Sequence, residues 1–285
     1  MYYYGAAGEY YAQFYLPYEH YEAPIFAVPG NHDGDVDRAN PVKSLEAFMR
    51  NFCAREPVIT PDAGESTRTA MTQPHVFWTL ETPMATIVGL YTNVPEGGEI
   101  EQDQIEWFAN ELVTAPSDKP LFVTMHHPII SADNHHSGSI CMKEALDKAL
   151  ELFNTHKEPE KGRYPDIIFA GHVHNYQRFA KHEDQREMPY IVAGAGGYYH
   201  LHSVAKVGPE HLKPVPPVFL EEYNVTFEHY VDDRHGFLRV EVTQQKVRGI
   251  YYTVPRPQES WSAGARPTDI FELDWHQHKL RTRQF

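Results

Sequence analysis

The sequence predicts an α/β fold, and three observations predict it. Three short apolar runs, at 24–28, 120–125 and 166–170, each pass straight into a histidine-bearing loop: Gly30-Asn31-His32-Asp33, His126-His127-Pro128 and Gly171-His172-Val173-His174. Between the second and third runs, Met142, Leu146, Ala149, Leu150 and Phe153 recur at helical spacing. Strand, helix and strand in one unit favour parallel pairing with a right-handed crossover, and open sheets of that kind gather ligands at the carboxyl ends of their strands.

The elements follow in order. Residues 1–23 are rich in tyrosine and are expected to form a helix leading into the first strand. Ser44 precedes Leu45, Phe48, Met49 and Phe52, an i, i+3, i+4, i+7 stripe that marks an amphipathic core helix. Pro, Gly, Asp and Thr make 54–73 a loop, and strands are expected at 76–80 and 85–91. The loop at 93–98, with Pro95, Gly97 and Gly98, is placed to border a cleft. Asp103-x-x-Glu106 has the form of a capping box and opens a helix with Ile105, Phe108 and Leu112 inward.

A further strand at 190–193 ends in Gly194-Ala195-Gly196-Gly197. A dinucleotide fingerprint would need glycine where Tyr199 stands, with a helical pattern after it, so that alternative fails. Residues 201–222 are Pro-rich and charged and are expected to be an excursion over the site. Segments 236–242 and 247–254 pair as a hairpin that finishes a second sheet. One domain over 1–254 is expected, with 255–285 as an appendage wrapped on its surface. No internal repeat is seen.

A chain of 285 residues with 41% hydrophobic content can build one sizeable core. Its formal charge of −14 and its lack of a Lys/Arg cluster argue against nucleic acid as a partner. No apolar run approaches the ~18 residues of a membrane span, and the tyrosine-rich start lacks the basic and apolar regions of a signal peptide. Only Cys53 and Cys141 are present, too few for a disulfide framework, so a reducing, cytoplasmic setting is the default expectation.

A strand that ends in two histidines one residue apart delivers two imidazoles to one point. Alone, that pair is equally consistent with surface histidines, since the chain has 18 of them. Three such loops change the balance, because they gather an amide oxygen (Asn31) and imidazoles (His32, His126, His172, His174) along one sheet edge. Imidazole and oxygen ligands suit zinc, iron or manganese, and the absence of cysteine argues for an open, catalytic site rather than a closed structural one.

Gly30-Asn31-His32-Asp33, Val123-x-x-His126 and Gly171-His172-x-His174 resemble, in that order, three blocks of the calcineurin-like metallophosphoesterases. Asn175-Tyr176-Gln177-Arg178 and the Gly-rich turn at 194–197 are similar to the purple-acid-phosphatase branch. The resemblance implies a four-layer α/β/β/α sandwich. It implies that Asn31, His126 and His172 hold one metal and that His174 belongs to its neighbour. His135 and His136, nine and ten residues beyond His126, would face the substrate phosphate. His32 would sit behind the ligands or face the substrate, and His136 or His32 would protonate the departing oxygen.

Two earlier family blocks, with the aspartate that bridges two metals, have no match here, so the chain is expected to begin just after that aspartate. Tyr2 would then be what remains of the second block and a further metal ligand. A bridging carboxylate holds two cations roughly 3.5–4 Å apart, so up to two ions (Fe, Zn or Mn), or one, are expected. The implied activity is hydrolysis of a small phosphorylated substrate by a metal-activated hydroxide. The alternative is a catalytically impaired or non-catalytic metal-binding paralogue that keeps the fold.

Overall fold

A computed structural model describes residues 5–34, 45–92, 98–156, 162–183, 185–206 and 210–283. Tyr2, Ser44 and most of the 93–98 loop lie outside those residues. The large sheet is built from β1 (Trp78–Glu81), β2 (Thr86–Gly89), β3 (Leu121–Met125), β4 (Ile167–Ala170), β5 (Tyr176–Glu183), β6 (Arg186–Ala193), β7 (Val218–Leu220) and β8 (Val225–Val231). Its eight strands run in the order β1-β2-β3-β4-β6-β5-β8-β7. The pairs β2–β3, β3–β4 and β4–β6 are parallel, and antiparallel strands flank them. The small sheet is antiparallel, in the order β12 (Lys279–Arg283), β11 (Arg266–Asp274), β10 (Lys246–Thr253), β9 (Gly236–Val242).

Alternation along the central strands assigns each face. Leu121 and Val123 of β3 and Ile168 of β4 face the helices α1 (Gln102–Thr114) and α2 (Ile140–His156), which contribute Ile105, Phe108, Leu112, Met142, Leu146 and Phe153 to one core. Phe122 and Ile167 point the other way, with Tyr176 and Ile191, onto Val247, Tyr251, Phe271 and Leu273 of the small sheet. Tyr176 and Tyr251 stack there, with ring centroids 3.8 Å apart. The outer face of the small sheet carries a cross-strand charge ladder in which Arg248 stands between Glu241 and Glu272. Each exposed rung contributes only about 0.2–1 kcal/mol, so the ladder keeps that face wet more than it holds it together.

Several expectations are corrected. Residues 255–285 are not a surface appendage: β11 and β12 complete the small sheet, and Phe271, Leu273 and Trp275 are buried between the layers. The 24–28 run is not a strand. Gln73 and Trp78 side chains take the backbone groups of Ala27 (2.9, 3.0 and 2.8 Å), as a neighbouring strand would have done. The tyrosine-rich start forms a 3-10 turn (Ala7–Glu9) and a π turn (Tyr11–Tyr15). Tyr10, Phe14 and Tyr15 pack there on Phe48 and Phe52 of the helix Glu46–Phe52, whose Met49 faces solvent instead of the core. The capping box is not made either. Helix α1 starts at Gln102, one residue ahead of it, with no side-chain cap on Glu101.

Candidate metal centre

The parallel register sets the site. Met125 pairs with Ala170 at the carboxyl ends of β3 and β4, so His126 and Gly171 leave the sheet side by side, tied by Gly171 N–H to His126 O at 3.0 Å. On the other side Gly89 pairs with Thr124, and the same offset carried three residues on brings Thr92 against His127. The buried Thr92 hydroxyl lies 3.0 Å from His127 Nδ1 and accepts the His127 amide at 3.2 Å.

The His126 ring lies against main chain at Gly30 and Gly171. A Cβ at Gly30 would come within 2.8 Å of His126 Cε1, so this position has room for glycine alone, whereas one at Gly171 would stop 3.6 Å from Nδ1. His172 takes φ +61° inside a tight turn closed by Val173 N–H to Gly171 O at 2.7 Å. A left-handed backbone costs a side-chain-bearing residue about 1–2 kcal/mol, and such strain concentrates at functional positions. Gly194 permits the same loop to close, because a Cβ there would sit 1.9 Å from Val173 O.

These constraints bring three of the expected ligands together. His126 Nε2 is 2.8 Å from Asn31 Oδ1 and 3.2 Å from His172 Nδ1. An imidazole nitrogen carries either one proton or one in-plane lone pair, so it makes a full hydrogen bond to only one of these two neighbours and leaves the other contact without one. A cation shared by all three resolves that conflict, and the donor set is one that zinc, iron or manganese accepts. His127 joins His126 and His172, with ligand atoms within 4.8 Å of one another, the single such group of His, Cys, Asp or Glu among the described residues. No carboxylate belongs to it. Asp33 instead caps its own turn, accepting Gly30 N–H at 2.8 Å.

Burial, reinforced by neighbouring imidazoles, keeps these rings neutral. His126 is held well below its ordinary value, His172 falls to about 3, and His127 to about 4. Neutral rings keep the lone pairs that a metal needs.

His174 stands apart from that group. Its Nδ1 meets His200 O at 2.9 Å, and its ring lies between Tyr198 (4.3 Å) and His202 (4.4 Å). Burial lowers it to about 4. His136 faces both His172 (4.5 Å) and His202 (5.0 Å), His135 faces His202 (5.3 Å), and His32 stacks on Tyr198 at 6.0 Å. The sequence reading missed His127, Thr92, Asp133, Tyr198 and His202. A signal existed for His202, because His200-Leu201-His202 repeats the His-x-His spacing.

Asp133 organises this second group. Its Oδ1 accepts the amides of His135 and His136 at 2.7 and 2.8 Å, and its Oδ2 accepts from Asn175 Nδ2 at 3.2 Å. His202 Nδ1 lies 3.7 Å from Asp133 Oδ1. The 201–222 excursion begins here: Ala205 N–H pairs with Ala132 O and His202 N–H with His174 O, which makes the excursion one wall of the cluster.

Arg178, at the end of the motif that carries His172 and His174, points away from the site and pairs with Asp269 of the small sheet.

The model of the calcineurin-like phosphoesterase family matches residues 2–176. Purple acid phosphatase 15 of Arabidopsis thaliana is 26% identical over 183 residues, 62% of this chain and 30% of its own length. Purple acid phosphatase 21 of the same plant is 32% identical over 105 residues, 35% of this chain and 22% of its own length. The chain therefore spans less than a third of these relatives. Among solved structures, the purple acid phosphatase PPD1 from yellow lupin (Lupinus luteus) seeds superposes with a TM-score of 0.57 at 14% identity, over 90% of this chain and 42% of its own. PhoD gives 0.50 at 14% identity, over 89% and 54%. The mixed α/β sandwich and the three ordered histidine blocks thus have one source: the chain belongs to the calcineurin-like phosphoesterases.

Proposed function

We propose that this chain is a metal-dependent phosphoesterase acting on a small phosphorylated substrate. One observation carries the proposal: Asn31 Oδ1, His126 Nε2 and His172 Nδ1 converge within 2.8 and 3.2 Å contacts that no arrangement of protons satisfies together. A bound cation supplies positive charge that offsets the phosphoryl oxygens and makes water more acidic.

The chain's own residues supply the rest. His136, beside His172 and next to the exposed His135, is placed to give a proton to the departing oxygen, and His135 to hold a phosphoryl oxygen. His32, over Tyr198, is the other candidate acid. Asp133 fixes the loop that carries His135 and His136.

The test joins metal analysis of the purified chain to hydrolysis of aryl phosphates that span good and poor leaving groups, with manganese or zinc added. About one equivalent of bound metal and measurable turnover are expected, and His136→Ala should slow poor leaving groups more than good ones. Bound metal without turnover would instead favour a non-catalytic metal-binding relative, an alternative motivated by the absence of a carboxylate from the group formed by the described residues.

A further inference from the structure

We infer that His127 is itself a metal ligand, so that one cation is held by Asn31 and three imidazoles, those of His126, His127 and His172. Nothing in the sequence motifs places His127 there: the resemblance gives Asn31, His126 and His172 to one metal and His174 to its neighbour. The structure brings His127 to the first of these groups. The ligand atoms of His126, His127 and His172 lie within 4.8 Å of one another, a group that does not include His174, whose ring lies 4.4 Å from that of His202.

Three observations argue for a built ligand and not a bystander ring. His127 is 5% exposed, so its imidazole is no solvated surface group. Its Nδ1 lies 3.0 Å from the hydroxyl of Thr92, itself fully buried, and this leaves Nε2 as the nitrogen free for the site. A hydrogen bond on the far nitrogen is how metal-binding imidazoles are oriented and held in one tautomer. The register of β2 on β3, carried three residues beyond its last pair, sets Thr92 beside His127. A His-His-His-Asn set without a carboxylate brings no negative charge, and it favours zinc or cobalt over manganese or magnesium.

The inference rests on the phosphoesterase proposal for the cation and for Asn31, His126 and His172 as its holders, and adds His127 to them. The test is titration of the metal-free chain with Co²⁺, read by its visible absorption and by calorimetry. One tight equivalent is expected. His127→Ala should weaken it by a hundredfold or more, and Thr92→Val by about 10–100-fold. His127→Gln, which keeps the bulk and a group for Thr92, should not restore it. On the unsubstituted Co²⁺ form, NMR should show three paramagnetically shifted, exchangeable imidazole N–H signals, a count that needs no variant to fold. Two such signals, or His127→Ala binding as the parent does while His174→Ala does not, would overturn the role of His127 and leave the phosphoesterase proposal standing. If the parent chain takes up no Co²⁺, Zn²⁺ or Mn²⁺, both fall.

Discussion

Arg178 Nε lies 2.6 Å from Asp269 Oδ2, and this pair joins β5 of the large sheet to β11 of the small one in a fully buried setting. Arg178 also reaches Asp269 Oδ1 at 3.0 Å, and Tyr176 donates to Asp269 Oδ2 at 2.7 Å. Removing the carboxylate leaves the Tyr176 phenol without its acceptor and the buried guanidinium with Glu228 Oε2, 3.6 Å from Nη1, as its remaining ion-pair partner. Asp269→Ala should therefore lower stability by about 3–5 kcal/mol, whereas a joint Arg178→Met, Asp269→Leu replacement should recover most of that loss. Denaturant unfolding decides it: an Asp269→Ala chain within ~1 kcal/mol of the parent would show that the pair is bystander chemistry.

The left-handed backbone of His172 predicts an inverted glycine effect. Both His172→Gly and His172→Ala remove the imidazole, but only glycine relieves the φ of +61°. The glycine variant should be the more stable of the two by about 1 kcal/mol. Thermal melts of the metal-free variants check this, and an alanine variant that melts at or above the glycine one refutes the strain.

Burial of the histidine cluster sets a pH dependence with a definite sign. In the folded chain His172 titrates at about 3 and His127 at about 4, against an ordinary 6.5 in the unfolded chain. The unfolded state therefore takes up protons first as the pH falls. Stability is whole above pH 6.5 and drains away between about 6.5 and 3–4. Denaturant midpoints of the metal-free chain at pH 7.5 and 5 should differ in that direction, and equal midpoints would mean the rings are solvated.

Glycine at position 30 is required by His126 and not by its own turn. Gly30→Ala would put a methyl 2.8 Å from His126 Cε1 and displace the ring from Asn31 and His172. Displacements near 1 Å at a reacting centre lower rates by about a hundredfold, so a comparable loss in kcat/KM with retained circular dichroism is expected. Gly8→Ala, where a Cβ meets nothing within 4 Å, serves as the control and should leave turnover unchanged. Equal activity in both variants would contradict the steric account.

What the sequence revealed and what it hid divide along a physical line. Asn31, His126 and His172 were legible because each is anchored to a local apolar run, and α1 and α2 because Ile105, Phe108, Met142 and Phe153 repeat at helical spacing. Strand β5 was obscured because 176–183 continues the histidine motif, and although β6 follows it almost at once, its other partner, β8, lies far along the chain. Strands β11 and β12 were masked by Pro255, Pro257 and Pro267, since prolines read as loop while the burial of Phe271 depends on tertiary packing. His127 could not be assigned at all from local sequence. Which way a ring turns at a strand end depends on the neighbouring strand's register, here the one that delivers Thr92.

The main chain that flanks the His126 ring bears on how ions come and go. A side chain that cannot choose among rotamers has already surrendered its freedom when the polypeptide collapses, so a cation meets a socket cast in advance. A chelator should then empty that socket without loosening the sandwich, and one divalent ion should replace another without any rearrangement of the scaffold.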